Sequence, residues 1–212
     1  MIIAVDGTLA SGKGTVARAI AKAFGLPCLD TGALYRGVAL AVLDAHGDPA
    51  NVKTATAHAQ KFNPASINEA RIRTAMVGAA ASIVSAHKPV RDALYALQRR
   101  FAAQPGGAVL DGRDIGTVIC PDADVKLFID AEPSIRAKRR WTELAASGDD
   151  ISLAEITRHL AERDARDAGR ADAPMKRAQD AALLDTSQLS IDAAIDAAIA
   201  IVSDRTGVTP IT

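Results

Sequence analysis

Apolar and polar positions fall into short blocks of two kinds, and the two kinds alternate along the chain. Residues 2–5 form a β-branched apolar run that stops at Asp6-Gly7, which predicts a buried strand ending in a turn. Val16, Ile20 and Ala23 then recur at helical spacing and Gly25 supplies a stop, so a helix is expected over 13–24. A second short strand at 26–29 and a helix over 31–45, closed by Gly47, follow. Residues 50–103 are Ala-rich and helical in pattern, broken at Asn63-Pro64 and Lys88-Pro89. The second break is expected to separate one helix from the next, because the residue before a proline avoids the α region.

Compact apolar runs at 108–110, 125–129 and 181–184, bounded by Gly, Pro and Asp, predict three more strands. Further helices are expected from Pro133, over 153–167 behind a polar stretch at 147–150, and after a Ser190 cap, where Ile191, Ile195, Ile199 and Val202 share a face. Strands alternating with helices imply an α/β fold in three layers, a parallel five-stranded sheet covered on both faces.

With 212 residues the chain suits one well-buried domain. Lys and Arg number 25 against 25 Asp and Glu, and aromatics make up 3%, so the positive field and the stacking rings of single-strand nucleic-acid binders are both missing. No nucleic-acid partner is expected. Cys28 and Cys120 lie far apart in apolar stretches, which excludes a disulfide framework or a Cys/His metal cluster and reads as two small buried hydrophobes. No run reaches roughly 18 apolar residues, and the N-terminal run has neither a basic nor a long apolar signal region. These features point to a soluble, reducing, cytoplasmic setting without membrane contact, and to a monomer as the default.

The chemistry begins between the first strand and the first helix, at Gly7-Thr8-Leu9-Ala10-Ser11-Gly12-Lys13-Gly14-Thr15. Glycines there let the backbone wrap its N–H groups around phosphate oxygens, the helix N-terminus adds its positive dipole end, and Lys13 brings a full charge. The pattern G-x-x-x-x-G-K-[ST] is missed by one position, because Gly14 follows the lysine and the hydroxyl comes at Thr15. Two other readings compete: a purely structural turn, and a dinucleotide fingerprint carried by Gly12, Gly14 and Ala17 with Asp30 further on. The second leaves a lysine between its glycines unexplained.

Phosphoryl transfer asks a protein mainly for positioning and for cations around the moving group. Arg136, Arg139 and Arg140 sit at i, i+3, i+4 and Arg163, Arg166 and Arg170 at i, i+3, i+7, so each set can share a helix face. On spacing alone a solvated surface serves as well. Arg36 follows an Asp-Thr-Gly turn and could bind a phosphate bidentately, and Thr31 could simply cap a helix. Asp111 follows an apolar strand, where it suits either a turn or the orientation of Mg²⁺ together with Thr15.

Gly-Lys-Gly-Thr resembles the nucleoside monophosphate kinase branch of the P-loop proteins. Asp30-Thr31-Gly32-Ala33-Leu34-Tyr35-Arg36, Asp111-Gly112-Arg113-Asp114-Ile115-Gly116-Thr117 with Pro121-Asp122-Ala123, and Arg163-Asp164 with Arg166-Asp167, Arg170 and Ala173-Pro174 resemble the motifs of its cytidylate kinases, in order and over nearly the whole chain. The resemblance implies a P-loop kinase that moves a phosphoryl group from ATP, with Mg²⁺, to CMP or dCMP. It implies a core at 1–35, 104–141 and 170–212, an acceptor-binding region at 36–103 and a lid at 142–169. It implies that the loop from Gly7 to Thr15 holds the donor and that Lys13, Arg113, Arg163 and Arg170 are catalytic. Thr31, Arg36, Arg113, Arg163, Asp167 and Arg170 would bind the acceptor's phosphate and sugar, and Ser82, Arg91 and Asp114 its base. Cytosine offers an N4 amino donor beside N3 and O2 acceptors, whereas uracil reverses the polarity at N3 and C4, so such a pocket should disfavour UMP.

The chain departs from the family's pattern in two places. Thr8, Leu9 and Ala10 stand where relatives usually have Pro, a small residue and Gly, and only 62–75 is available for the β-rich acceptor insert. The rival readings are another small P-loop kinase, shikimate kinase-like or UMP-accepting, and a non-enzymatic nucleotide-binding module. No Asn-Lys-x-Asp guanine-reading motif occurs.

Overall fold

A computed structural model describes residues 1–146 and 148–211. Ser147, in the polar stretch expected before the 153–167 helix, lies outside the described residues. Five parallel strands, β1 (Ile2–Gly7), β2 (Cys28–Asp30), β3 (Ala108–Gly112), β4 (Val125–Asp130) and β5 (Ala182–Asp185), stand in the order β2-β3-β1-β4-β5. β1 is central, with Ile3 opposite Val109 on one side and Val125 on the other. Successive strands leave β1 first toward β3 and then toward β4. Their carboxyl ends therefore open a crevice beside β1, where ligands of open α/β sheets bind.

Both faces of the sheet are buried. Ile3 and Val5 join α1 (Lys13–Phe24) and α9 (Ile191–Thr206) in one core, while the intervening Ala4 joins Leu110, Ile115 and Cys120 in another. That two-sided burial is why β1 reads as a continuous apolar run rather than an alternating one. A third core unites α2 (Thr31–Asp44), α3 (Val52–Gln60), α5 (Ala75–Val84) and α6 (Lys88–Ala102) through Leu34, Val38, Ala55, Val84 and Leu94. A fourth holds α7 (Pro133–Ala146) to α8 (Leu153–Ala168) through Ala137, Leu144, Ile156 and Leu160. Among the described residues, no helix is long and apolar enough to cross a membrane.

Several boundaries differ from expectation for local reasons. β2 begins at Cys28 because its pairing with β3 runs from Cys28 to Asp30, and Cys28 is only partly buried. α2 ends at Asp44, before Gly47, because His46 takes the left-handed conformation at φ 53°. Asp30, not Thr31, caps α2 by accepting from the Ala33 amide. Pro89 does mark a break between α5 and α6, yet Lys88 already belongs to α6, whose first turn accommodates the proline because its missing N–H has no intrahelical acceptor there. β5 runs one residue later than the apolar run, through Asp185. α7 passes through residue 142, and the segment at 62–75 holds a 3₁₀ turn at Pro64–Ser66 and α4 (Glu69–Ile72) with no strand.

Candidate active site

The loop after β1 is held in shape by close packing and by its carbonyls. A Cβ on Gly7 would lie 1.9 Å from the Ile129 carbonyl oxygen, so only glycine lets β1 pass β4 into the loop. The Thr8 hydroxyl donates to Asp130 Oδ1 at 2.6 Å and the Ser11 hydroxyl to the Thr8 carbonyl at 3.0 Å. Arg136 donates to the carbonyls of Leu9 and Ala131, and its guanidinium pairs with Asp164 at 2.7 Å. Arg139 and the Thr186 hydroxyl both reach the Ser11 carbonyl. Two arginines that spacing alone could not assign are thus bound to the loop's backbone, while Arg140 lines the cleft and pairs with Glu143.

Lys13, in the first turn of α1, lies in the cleft with its Nζ 3.8 Å from Asp111 Oδ1. Burial, with Arg113 nearby, pushes its ammonium down to about 8. Burial also pushes the Asp111 carboxyl up against the pull of Lys13, and its Oδ1 is buried without a hydrogen-bond partner. A Cβ on Gly14 would stand 3.0 Å from Asp111 Oδ2. The glycine after the lysine therefore leaves room for this carboxylate, which accounts for Gly-Lys-Gly-Thr in place of Gly-Lys-Thr. A buried carboxylate oxygen on the cleft with no hydrogen-bond partner, and Thr15 also lining it, is a donor set of the hard oxygen type that Mg²⁺ takes.

Asp167, only 1% exposed at its side chain, gathers three arginines. Arg113 Nε donates to Oδ2 at 3.1 Å, Arg170 to Oδ1, and Arg163 Nε stands 3.8 Å from Oδ2. Burial pushes the Asp167 carboxyl up, but Arg113, Arg163 and Arg170 together hold it below the usual carboxylate range. Burial, followed by the repulsion of Arg113, pushes Arg163 down to about 9. Across the cleft Arg36 pairs with Asp30 at 2.6 Å, and the Thr31 hydroxyl donates to the Asp111 carbonyl at 2.7 Å.

The three residues expected around a base are divided. Asp114 lines the cleft with Tyr35, Ser85 and Arg170, its carboxyl pushed up by burial against the pull of Arg170 and Arg91. Arg91 donates to the carbonyls of Ser85 and Ala86 and pairs with Asp172 at 2.8 Å. Ser82 Oγ accepts from Arg166 and faces a neighbouring cavity lined by α5, α7 and α8. Sequence reasoning gave Ser85 and Asp6 no role, and named Asp30 and Tyr35 only within motifs. Asp6 accepts from the amides of Ile115 and Gly116, both at 2.8 Å, and burial raises it to about 7 despite those bonds.

The model of one protein family, described as cytidylate kinase, matches residues 3–204. The chain belongs to the cytidylate kinase family. It is 50% identical over 203 residues to the cytidylate kinase of Caulobacter vibrioides strain NA1000 / CB15N, covering 96% of this chain and 95% of the relative. Identity is 52% over 205 residues with that of Xanthobacter autotrophicus, covering 97% and 98%, and 56% over 181 residues with that of Methylobacterium sp. strain 4-46, covering 85% and 86%. Among solved structures, an uncharacterized protein from Eubacterium ventriosum superposes with a TM-score of 0.53 at 14% identity, covering 94% of this chain and 96% of that one, which establishes a shared fold.

Within the cytidylate kinase framework the altered loop has a cost that can be measured. Ala10 stands at φ 61°, a left-handed conformation that disfavours any side chain and that glycine adopts freely. Ala10→Gly should therefore raise stability by about 0.5–1 kcal/mol, the relief of strain being partly offset by the looser unfolded chain. Urea denaturation would show a higher midpoint at unchanged slope.

Proposed function

We propose that this cytidylate kinase transfers the γ-phosphoryl group of ATP to the phosphate of CMP or dCMP, giving CDP or dCDP and ADP. One observation carries the reading: a single cleft at the carboxyl ends of β1 and β3 is lined by Lys13 and the phosphate loop, by the arginines around Asp167, and by Asp114. A phosphate donor, a cationic transfer zone and a base-reading carboxylate would then lie along one path. The loop and Lys13 would hold the donor phosphates, and Arg113, Arg163 and Arg170 would face the charge that spreads over the transferring group. Thr15 and Asp111 would hold Mg²⁺, which supplies charge neutralisation between the phosphates.

On the acceptor side, Arg36 and Thr31 would meet phosphate and Asp167 the sugar. Asp114 would take the amino group of cytosine, with Arg91 and Ser82 behind it. The separate core of α2, α3, α5 and α6 supports an acceptor region at 36–103, and the α7–α8 core supports a lid that includes 142–169. A monomer in a reducing cytoplasm, where Cys28 and Cys120 stay free thiols, completes this reading.

The test is Mg²⁺-dependent ADP release with CMP, dCMP, UMP, AMP and shikimate as separate acceptors. CMP or dCMP should lead, with UMP lower by roughly 1–3 kcal/mol in transition-state binding per misdirected contact. Turnover led by AMP, UMP or shikimate would overturn the cytosine assignment.

A further inference from the structure

We infer that Asp6 is a positioning residue of the reaction: its backbone and its carboxylate clamp the two ends of the Arg113-Asp114 dipeptide and so fix those side chains relative to the phosphate loop. The inference rests on the acceptor-side roles proposed above for Arg113 and Asp114. Asp6 lies near the end of β1, is 4% exposed, and runs directly into Gly7 and the loop. In the sheet it stands in register with Gly112, the last residue of β3. The chain then leaves β3, carries Arg113 and Asp114 along the cleft, and returns to the end of β1. There Asp6 Oδ1 accepts from the Ile115 amide and Oδ2 from the Gly116 amide, both at 2.8 Å. A dipeptide held at Gly112 and again at Ile115 and Gly116 by one residue has little freedom to swing.

The second hold also decides what Asp114 can do. Asp114 precedes a single π-helical turn, Ile115–Ile119, and an aspartate in that position ordinarily spends its own carboxylate on the amides that open the turn. Asp114 makes no such bond. Asp6 satisfies those amides from the neighbouring strand, and the Asp114 carboxylate is left to the cleft it lines. Two buried amides need two acceptor oxygens, because a buried donor without a partner is costly. A carboxylate supplies both, whereas a carboxamide of the same shape supplies one and turns a donor against the other amide. Since Gly7 opens the loop that would hold the donor, the clamp also sets the acceptor groups in one frame with the donor site.

The experiment measures KM for CMP and for ATP in the wild type, Asp6→Asn, Asp114→Ala and the double variant, each below its melting temperature. KM does not depend on the folded share of a sample, so lost stability cannot imitate a shift. In Asp6→Asn, KM for CMP should rise about tenfold while KM for ATP stays within about twofold. On the Asp114→Ala background the same change should add less than about threefold, because the group being positioned is gone. A parallel rise in both KM values would make Asp6 a general support of the loop and would overturn the inference, as would an unchanged KM for CMP or the full rise added on top of Asp114→Ala. Should Asp6→Asn not fold, Asp6→Glu, which keeps the charge but overreaches the amides, takes its place with the same expectations. An Asp114→Ala variant that binds CMP as the wild type does would instead sink the acceptor role of Asp114 itself, a different result from an enzyme sensitive to Asp114 and indifferent to Asp6.

Discussion

Lys13→Ala is expected to lower turnover of CMP by about 10³-fold while leaving the chain folded. Transition-state charge in phosphoryl transfer is met by groups already in place, and Lys13 is the cation set at the head of α1 where the loop closes. Its pairing with Asp111 is long, 3.8 Å, and burial disfavours its charge, so removal should change stability by no more than roughly 1 kcal/mol. A separate signature lies in protons. The free enzyme's Lys13 titrates at about 8, and a bound phosphate chain favours the charged form and raises it. Nucleotide binding should therefore take up protons above pH 8, and ATP affinity should fall as pH rises through that value. Calorimetry in buffers of different ionisation enthalpy measures the uptake, and Lys13→Met should abolish it. Uptake that persists in the variant would assign the titration to another group.

Asp167→Ala should be the most destabilising substitution at the site. It strips the shared carboxylate from Arg113, Arg163 and Arg170, leaving buried guanidinium groups facing one another. Breaking a buried charge network from one side costs about 3–5 kcal/mol, and CMP kinetics should deteriorate with it because the same arginines line the cleft. The pH dependence has a definite sign. The folded carboxyl lies below its unfolded value, so its contribution is complete above the unfolded pKa, near 4, and is lost as pH falls through the folded one. Acid unfolding of Asp167→Asn should thus be shallower than that of the wild type, beginning from a less stable neutral state. Equal acid limbs would show that the three arginines do not draw their order from Asp167.

Much of this was legible because it depends on periodicity and on one loop. The run 2–5, the loop lysine and the helix after it are local patterns, and local patterns place a strand, a phosphate loop and a helix in sequence. What was not legible depends on contacts between distant residues. Arg136 and Arg139 look like any charged helix face until the Leu9 and Ser11 carbonyls are brought against them. Asp6 looks like the turn after a strand, yet it stays in β1 and binds two amides more than a hundred residues away. Ser85 near a helix end carries no signal of its own, since its hydroxyl is held by Arg170 and by the carbonyl one turn back. Gly14 could be marked as a departure from a pattern, but its reason needed the carboxylate of Asp111 beside it.

The four cores are unequal, and the smallest lies beside Arg163, which also lines the cleft. α8 is attached through Ile156 and Leu160 against Ala137 and Leu144 of α7, and beyond that by polar ties such as Arg163 to the Gly78 carbonyl and Asp164 to Arg136. Few buried apolar contacts mean a low free energy of local opening, so the amides of α8 should exchange with solvent through excursions that leave the sheet intact. If α8 serves as the proposed lid, the element that admits one nucleotide and releases another would then be among those least committed to the native fold. Substrate traffic would in that case draw on the weak cohesion of a helix pair, and a stronger α7–α8 core should slow turnover as it raises stability.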